Sequence, residues 1–157
     1  MVQDALLFSE SSDHVLFCGL GILVSAYALY VETRKHRDNT YKAACDLGEN
    51  MSCSRVLTSS YSKGFGVVEI LLGKEHFLNM PNCILGIVFY SMQFVLGMLW
   101  FSWVPAMLFM TSVVSCVGSA YLAFVLCFVL KDLCLVCIAT YVINGMLMYL
   151  NYQRYYS

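Results

Sequence analysis

The sequence predicts an all-α integral membrane protein: a four-transmembrane-helix bundle with a long cap loop between helices 1 and 2. Three observations predict it. Hydrophobic residues make up 60% of the 157 and charged residues only 12%, against roughly 25% charged in a soluble domain. Four runs free of charged residues together hold more than half of the chain. Between the first two runs lies the only stretch long enough to carry a soluble feature, residues 32–81.

The length fits a single domain, 1–157. A net charge of −1 supplies no field for nucleic acid. The first run, Val15 to Val31, is 17 residues long. It reads as an anchor and not as a cleaved leader, because no basic stretch precedes it and Glu32-Thr33-Arg34-Lys35 follows it. The Arg34–Arg37 cluster reads as a contact with lipid headgroups. In the cap loop, helix-compatible residues around Tyr41 to Cys45 are broken at Gly48-Glu49-Asn50, and Ser52 can cap a further turn over 53–57. Phe65 to Leu72 is apolar but too short to span, so it reads as an interfacial anchor.

The other helices are predicted at about 83–101, 104–130 and 133–152. About 20 residues rising 1.5 Å each cross a hydrocarbon core of roughly 30 Å. Four spans put both termini and the Ser102-Trp103 turn on one side, where Trp100, Trp103 and Tyr149, Tyr152, Tyr155 and Tyr156 form an aromatic belt. The cap loop and the Lys131-Asp132 turn fall on the other side. Cys45, Cys53, Cys134 and Cys137 therefore share one face of the membrane.

Eight cysteines are many for this length and point to redox work, metal binding or an oxidising compartment. Cys134 and Cys137 are three apart at the start of the fourth helix, close enough to be bridged. A helix N-terminus favours thiolate over thiol, which makes this pair a candidate redox centre. Inert burial and half of a zinc site are the competing readings, and no histidine stands at ligand spacing beside the pair. Cys45 and Cys53 are eight apart, about 12 Å in a continuous helix, too far for a disulfide until the glycine break is allowed for. They read either as a staple or as a shuttle pair carrying reducing equivalents to the first. Cys18, Cys83, Cys116 and Cys127 read as small hydrophobes. Tyr141 continues the stripe of Cys134 and Cys137, and a buried phenol there could donate to a substrate oxygen. Asn82 lies at the level of the CxxC turn and would alone be read as a helix cap, while Asn144 reads as interhelical glue. No chemistry is assigned to His14, His36 or His76.

Cys45-Asp46-Leu47-Gly48, Ser52-Cys53-Ser54-Arg55-Val56, Gly64-Phe65-Gly66, Leu78-Asn79-Met80-Pro81-Asn82 and the stretch from Cys134 to Tyr141 together resemble the vitamin K epoxide reductase family. The resemblance runs from about Gly19 to Tyr152 and looks closer to the vertebrate reductase-like paralogue than to the founding enzyme. It implies an endoplasmic reticulum enzyme that reduces vitamin K 2,3-epoxide to the quinone and the quinone to hydroquinone. By that resemblance Cys137 attacks substrate, Cys134 resolves the disulfide, Cys53 exchanges with it, and Cys45 takes electrons from a luminal thioredoxin-like partner. Asn82 and Tyr141 would hold the quinone oxygens. Val56, Leu57, Leu85, Phe89, Leu122, Leu126 and Leu130 would line the ring and isoprenoid pocket, where coumarin anticoagulants compete. No permanently bound cofactor and no metal is implied; the quinone is substrate and a dithiol the reductant. An apolar quinone fits an intramembrane pocket with a two-electron thiol donor.

Charge alone points the other way on orientation. Seven of nine Lys and Arg residues lie in 32–81 and an eighth is Lys131, which by the positive-inside rule puts the thiols in the cytosol. Redox logic and the resemblance put them in the lumen, and that is the orientation taken. Two other functions use the same features: a quinone-linked disulfide-generating oxidase, and a claudin-like structural tetraspan with a Cys45–Cys53 staple. The second leaves Cys134-x-x-Cys137 unexplained.

Overall fold

The computed structural model describes residues 2–42, 46, 48, 49, 51–59, 68–73, 75, 80–132 and 134–156, with 2–4, 6–10 and 68–69 described by backbone alone. Among them the chain is helical, with a lone β-bridge between Gly48 and Met51. The elements are α1 (Val2–Arg37), α2 (Cys53–Leu57), α3 (Val68–Leu72), α4 (Asn82–Gly97), α5 (Val104–Phe124, continued by a π-helical segment Val125–Leu130) and α6 (Leu135–Tyr156). Among the described residues three helices are long and apolar enough to cross a membrane: Ser11–Arg37, Val104–Leu130 and Leu135–Tyr156.

Of the boundaries that differ from the sequence expectation, two differ most in consequence. Helix α1 does not begin at Val15 but runs 36 residues from Val2, about 54 Å at 1.5 Å per residue. Nothing in 2–14 breaks it, since that stretch holds neither proline nor glycine. Helix α4 ends at Gly97 and not at Phe101, leaving 16 residues that fall short of the three membrane candidates in length. The cause is a distant residue. The Arg154 guanidinium donates to the carbonyls of Gly97 at 3.1 Å and Leu99 at 3.4 Å. A cation supplied by α6 thus satisfies carbonyls that a continued helix would have used.

The long helices run alternately up and down. At one end His14 of α1 meets Gln93 near the end of α4, and Asn151 near the end of α6 meets Leu108 near the start of α5. At the other end Glu32 of α1 meets Cys83 of α4. Helix α1 packs mainly on α4 and α6, and α5 on α6. Close approach of α1 and α4 uses glycine at three positions, one of them Gly86, whose Cβ would lie 2.8 Å from the Ser25 hydroxyl. A Cβ at Gly21 would come within 2.6 Å of the Tyr90 ring, and one at Gly97 within 2.7 Å of the His14 imidazole.

A buried polar knot ties the end remote from the thiols. The Gln93 carbonyl oxygen accepts from Asn151 at 3.0 Å and pairs with His14 Nε2 at 3.3 Å, while the Gln93 amide donates to Thr111 at 2.7 Å. Asn151 also donates to Ser112 at 2.5 Å. Outside this knot lie stacked aromatics, Phe109 on Tyr155 and Phe101 on Trp103, with Trp100 and Trp103 exposed. At the thiol end α1 closes in a turn where the Thr40 hydroxyl and N–H both donate to Asp38, holding its carboxyl below the usual range.

Candidate functional site

Helix α6 starts on a cysteine. The N–H of Ile138 donates to the Cys134 carbonyl at 3.0 Å, the first bond of the helix, so Cys134 is the residue before α6 and not inside its first turn. Its sulfur accepts from the N–H of Cys137 at 3.4 Å. Serine or aspartate commonly does this at a helix start; here a thiol does, and the bond fixes the two sulfur-bearing residues against one another. Both are free thiols. Cys134 is fully buried, whereas Cys137 is only half-buried.

The turn that delivers Cys134 is held from both sides. The π-helical segment ends at Lys131, whose left-handed φ of 53° reverses the chain. Asp132 then pairs with Arg55 of α2 at 3.3 Å. Helix α2 is capped by Ser52, whose hydroxyl accepts from the Arg55 N–H at 3.3 Å. Asp46 gathers the Ser52 hydroxyl at 3.1 Å and the Ser54 hydroxyl at 2.6 Å. This lattice seats Cys53, which is fully buried and disulfide-bonded, in one apolar cluster with Cys134, Val56, Cys83 and Leu126. Cys45 lies outside the described residues, as do Gly64 to Val67 of the apolar anchor, Leu78 and Asn79. Of the described anchor residues, Ile70, Leu71 and Leu72 in α3 are exposed.

Beneath the thiols is a cavity of about 400 Å³ between α1, α2, α4, α5 and α6. Its upper wall carries Cys137, Tyr141, Asn82, Val56 and Leu57; its flanks carry Leu85, Phe89, Leu122, Leu126 and Leu130. The structure thus brings to one cavity every apolar and polar position singled out from the sequence, while Cys134 and Cys53 stand behind the wall. Asn82 is the first residue of α4 and Pro81 takes the cap position, so Asn82 does not serve as the cap.

Among the lining residues that were not legible beforehand are Tyr90, Ser119 and Glu32. Tyr90 donates to Asn144 at 2.6 Å, and Asn144 donates to Ser119 at 2.7 Å, which joins α4, α6 and α5 at the cavity floor. Glu32 sits in the upper wall at only 3% exposure. The available signal was its place as the acid closing the first apolar run, yet only the rotation of α1 shows that it faces inward.

A family model described as the vitamin K epoxide reductase family matches residues 14–152. The chain is 47% identical over 137 residues to vitamin K epoxide reductase complex subunit 1 of Mus musculus, covering 87% of this chain and 85% of that one. It has the same identity and coverage with the subunit of that name from Rattus norvegicus.

Proposed function

The chain belongs to the vitamin K epoxide reductase family, and we propose that it reduces vitamin K 2,3-epoxide to the quinone and the quinone to hydroquinone. One observation carries this reading: of the two thiols at the start of α6, only Cys137 lines the cavity, while Cys134 lies behind it in the cluster that holds Cys53. That gives each sulfur its own task. The Cys137 thiolate attacks the ring carbon, and Cys134 displaces the ring from sulfur and closes a Cys134–Cys137 disulfide. Two thiols lose two electrons and two protons; the epoxide oxygen leaves as water, or the quinone keeps both protons as hydroquinone. A luminal thioredoxin-like partner gives electrons to Cys45 and so frees Cys53 as a thiolate, which attacks Cys134 and releases Cys137 as a thiol.

Asn82 and Tyr141 hold the ring oxygens, and the seven apolar positions hold the ring and the first isoprene units. Coumarin anticoagulants compete for the same space. Helix α4 also spans, second in chain order, which completes a four-span bundle in the endoplasmic reticulum membrane with the thiols facing the lumen. The test is turnover of vitamin K epoxide by purified protein in detergent with a small dithiol as reductant. Quinone and then hydroquinone should accumulate. Protein that binds quinone yet oxidises added thiols, without ever reducing the epoxide, would instead be the disulfide-generating oxidase.

A further inference from the structure

The dithiol supplies electrons through sulfur, but the oxygen that leaves the ring needs protons at a place sulfur does not occupy. Among the described residues the cavity wall contains one carboxyl, Glu32, at 3% exposure. A carboxyl buried among apolar side chains persists only when it is paired or protonated. Glu32 has partners that suit a proton-exchanging group. The Cys83 thiol donates to its Oε2 at 3.3 Å, and His36, one turn on along α1, stands 3.8 Å from Oε1. The His36 side chain is 54% exposed and that of Glu32 is 5% exposed. One residue of the three thus reaches the membrane surface, while Glu32 and Cys83 both line the cavity.

We propose that Glu32 is the proton carrier of the cavity, oriented by Cys83 and recharged from the membrane surface through His36. This rests on reading the cavity as the quinone site. In the epoxide step Glu32 gives a proton to the oxygen as its bond to carbon breaks. The thiol protons released on closing the Cys134–Cys137 disulfide, or protons arriving through His36, restore it. The carboxyl ends unchanged, and the overall reaction remains two thiols and an epoxide giving a disulfide, a quinone and water. Cys83 is a positioning residue: its bond to Oε2 leaves Oε1 on the His36 side.

The test uses the full chain in detergent with a small dithiol. Glu32→Gln should lower kcat about 100-fold, in the range for loss of a general acid. KM should move less than about twofold, and the solvent deuterium isotope effect on kcat should rise as proton transfer becomes limiting. Glu32→Asp should recover part of the rate. Cys83→Val should lower kcat and Cys83→Ser should restore it. A second readout needs no turnover: infrared difference spectra on oxidising the Cys134/Cys137 dithiol should contain a carboxyl band that Glu32→Gln lacks. Full kcat in Glu32→Gln, or a change in KM alone, overturns the proposal. Absence of the carboxyl band overturns it equally, even if the wild-type protein turns out to act on another quinone. Loss of epoxide turnover by the wild type with the band retained removes the substrate assignment and leaves the carrier standing.

Discussion

Cys134 and Cys137 are joined before any disulfide forms, because the backbone N–H of Cys137 donates to the Cys134 sulfur at 3.4 Å. The bond holds Cys134 at the helix start with its sulfur turned toward its partner. Closing the disulfide then needs little rearrangement of the backbone. Either Cys134→Ala or Cys137→Ala should abolish epoxide reduction even with a small dithiol. Near-normal turnover by either variant, measured as quinone formed, would remove this pair as the redox centre.

Cys53 is buried against Cys134 and is already oxidised in this structure. Cys53→Ala should therefore cripple reduction by a protein donor while sparing most of the activity with a membrane-permeant dithiol. Parallel assays with the two reductants decide the matter. Equal loss in both would make the disulfide a staple for α2.

Asn82 and Tyr141 share the upper wall with Cys137. Tyr141→Phe and Asn82→Ala should each weaken quinone or coumarin binding by about 1–3 kcal/mol, read from equilibrium titrations. Affinities unchanged for both would return these residues to packing roles.

The α2 lid is held down by the Arg55–Asp132 pair, whose arginine is half exposed. Such a pair contributes only about 0–1 kcal/mol, so it holds α2 over the cavity weakly. Hydrogen exchange over 53–59 should slow when a tight inhibitor fills the cavity, and Arg55→Gln should speed it in the empty protein. Exchange that ignores the ligand would show a rigid cap.

At the far end, Gln93 and Asn151 are both almost fully buried; Gln93 serves three other helices and Asn151 two. Gln93→Leu should remove the oxygen that Asn151 and His14 share and the amide that donates to Thr111, costing on the order of 1–3 kcal/mol for each group left unsatisfied. A thermal melt in detergent lowered by several degrees, with KM for the epoxide unchanged, is the expected result. An unchanged melt would mean that water replaces the lost partner.

The apolar runs were legible because a bilayer demands them, and the CxxC pair because its spacing matches a helix face. What escaped depends on relations across the sequence. Nothing near Gly97 announces that α4 stops there, since the cause is Arg154, 57 residues away. Cys134 is expected inside the first turn, but after the left-handed Lys131 the helix starts at Leu135, two residues later than 133, leaving the Cys134 sulfur as the capping group. Glu32 and Tyr90 face the cavity through helix rotation, which α1 conceals because apolar residues occur all around it within the run. Asn82 kept two meanings in the sequence, and the choice of Pro81 as the cap removes one of them.

Helices α4 and α5 border the cavity along most of its depth yet scarcely touch each other. Their outer faces bear Val88, Val95, Val114 and Val117, all exposed. In a bilayer that seam would face hydrocarbon. A ligand using it never crosses water, and its occupancy follows its mole fraction among the lipids instead of its bulk molarity. Diluting it with extra detergent at fixed total concentration then lowers occupancy as surely as removing it, and an isoprenoid tail can trail through the seam without being enclosed.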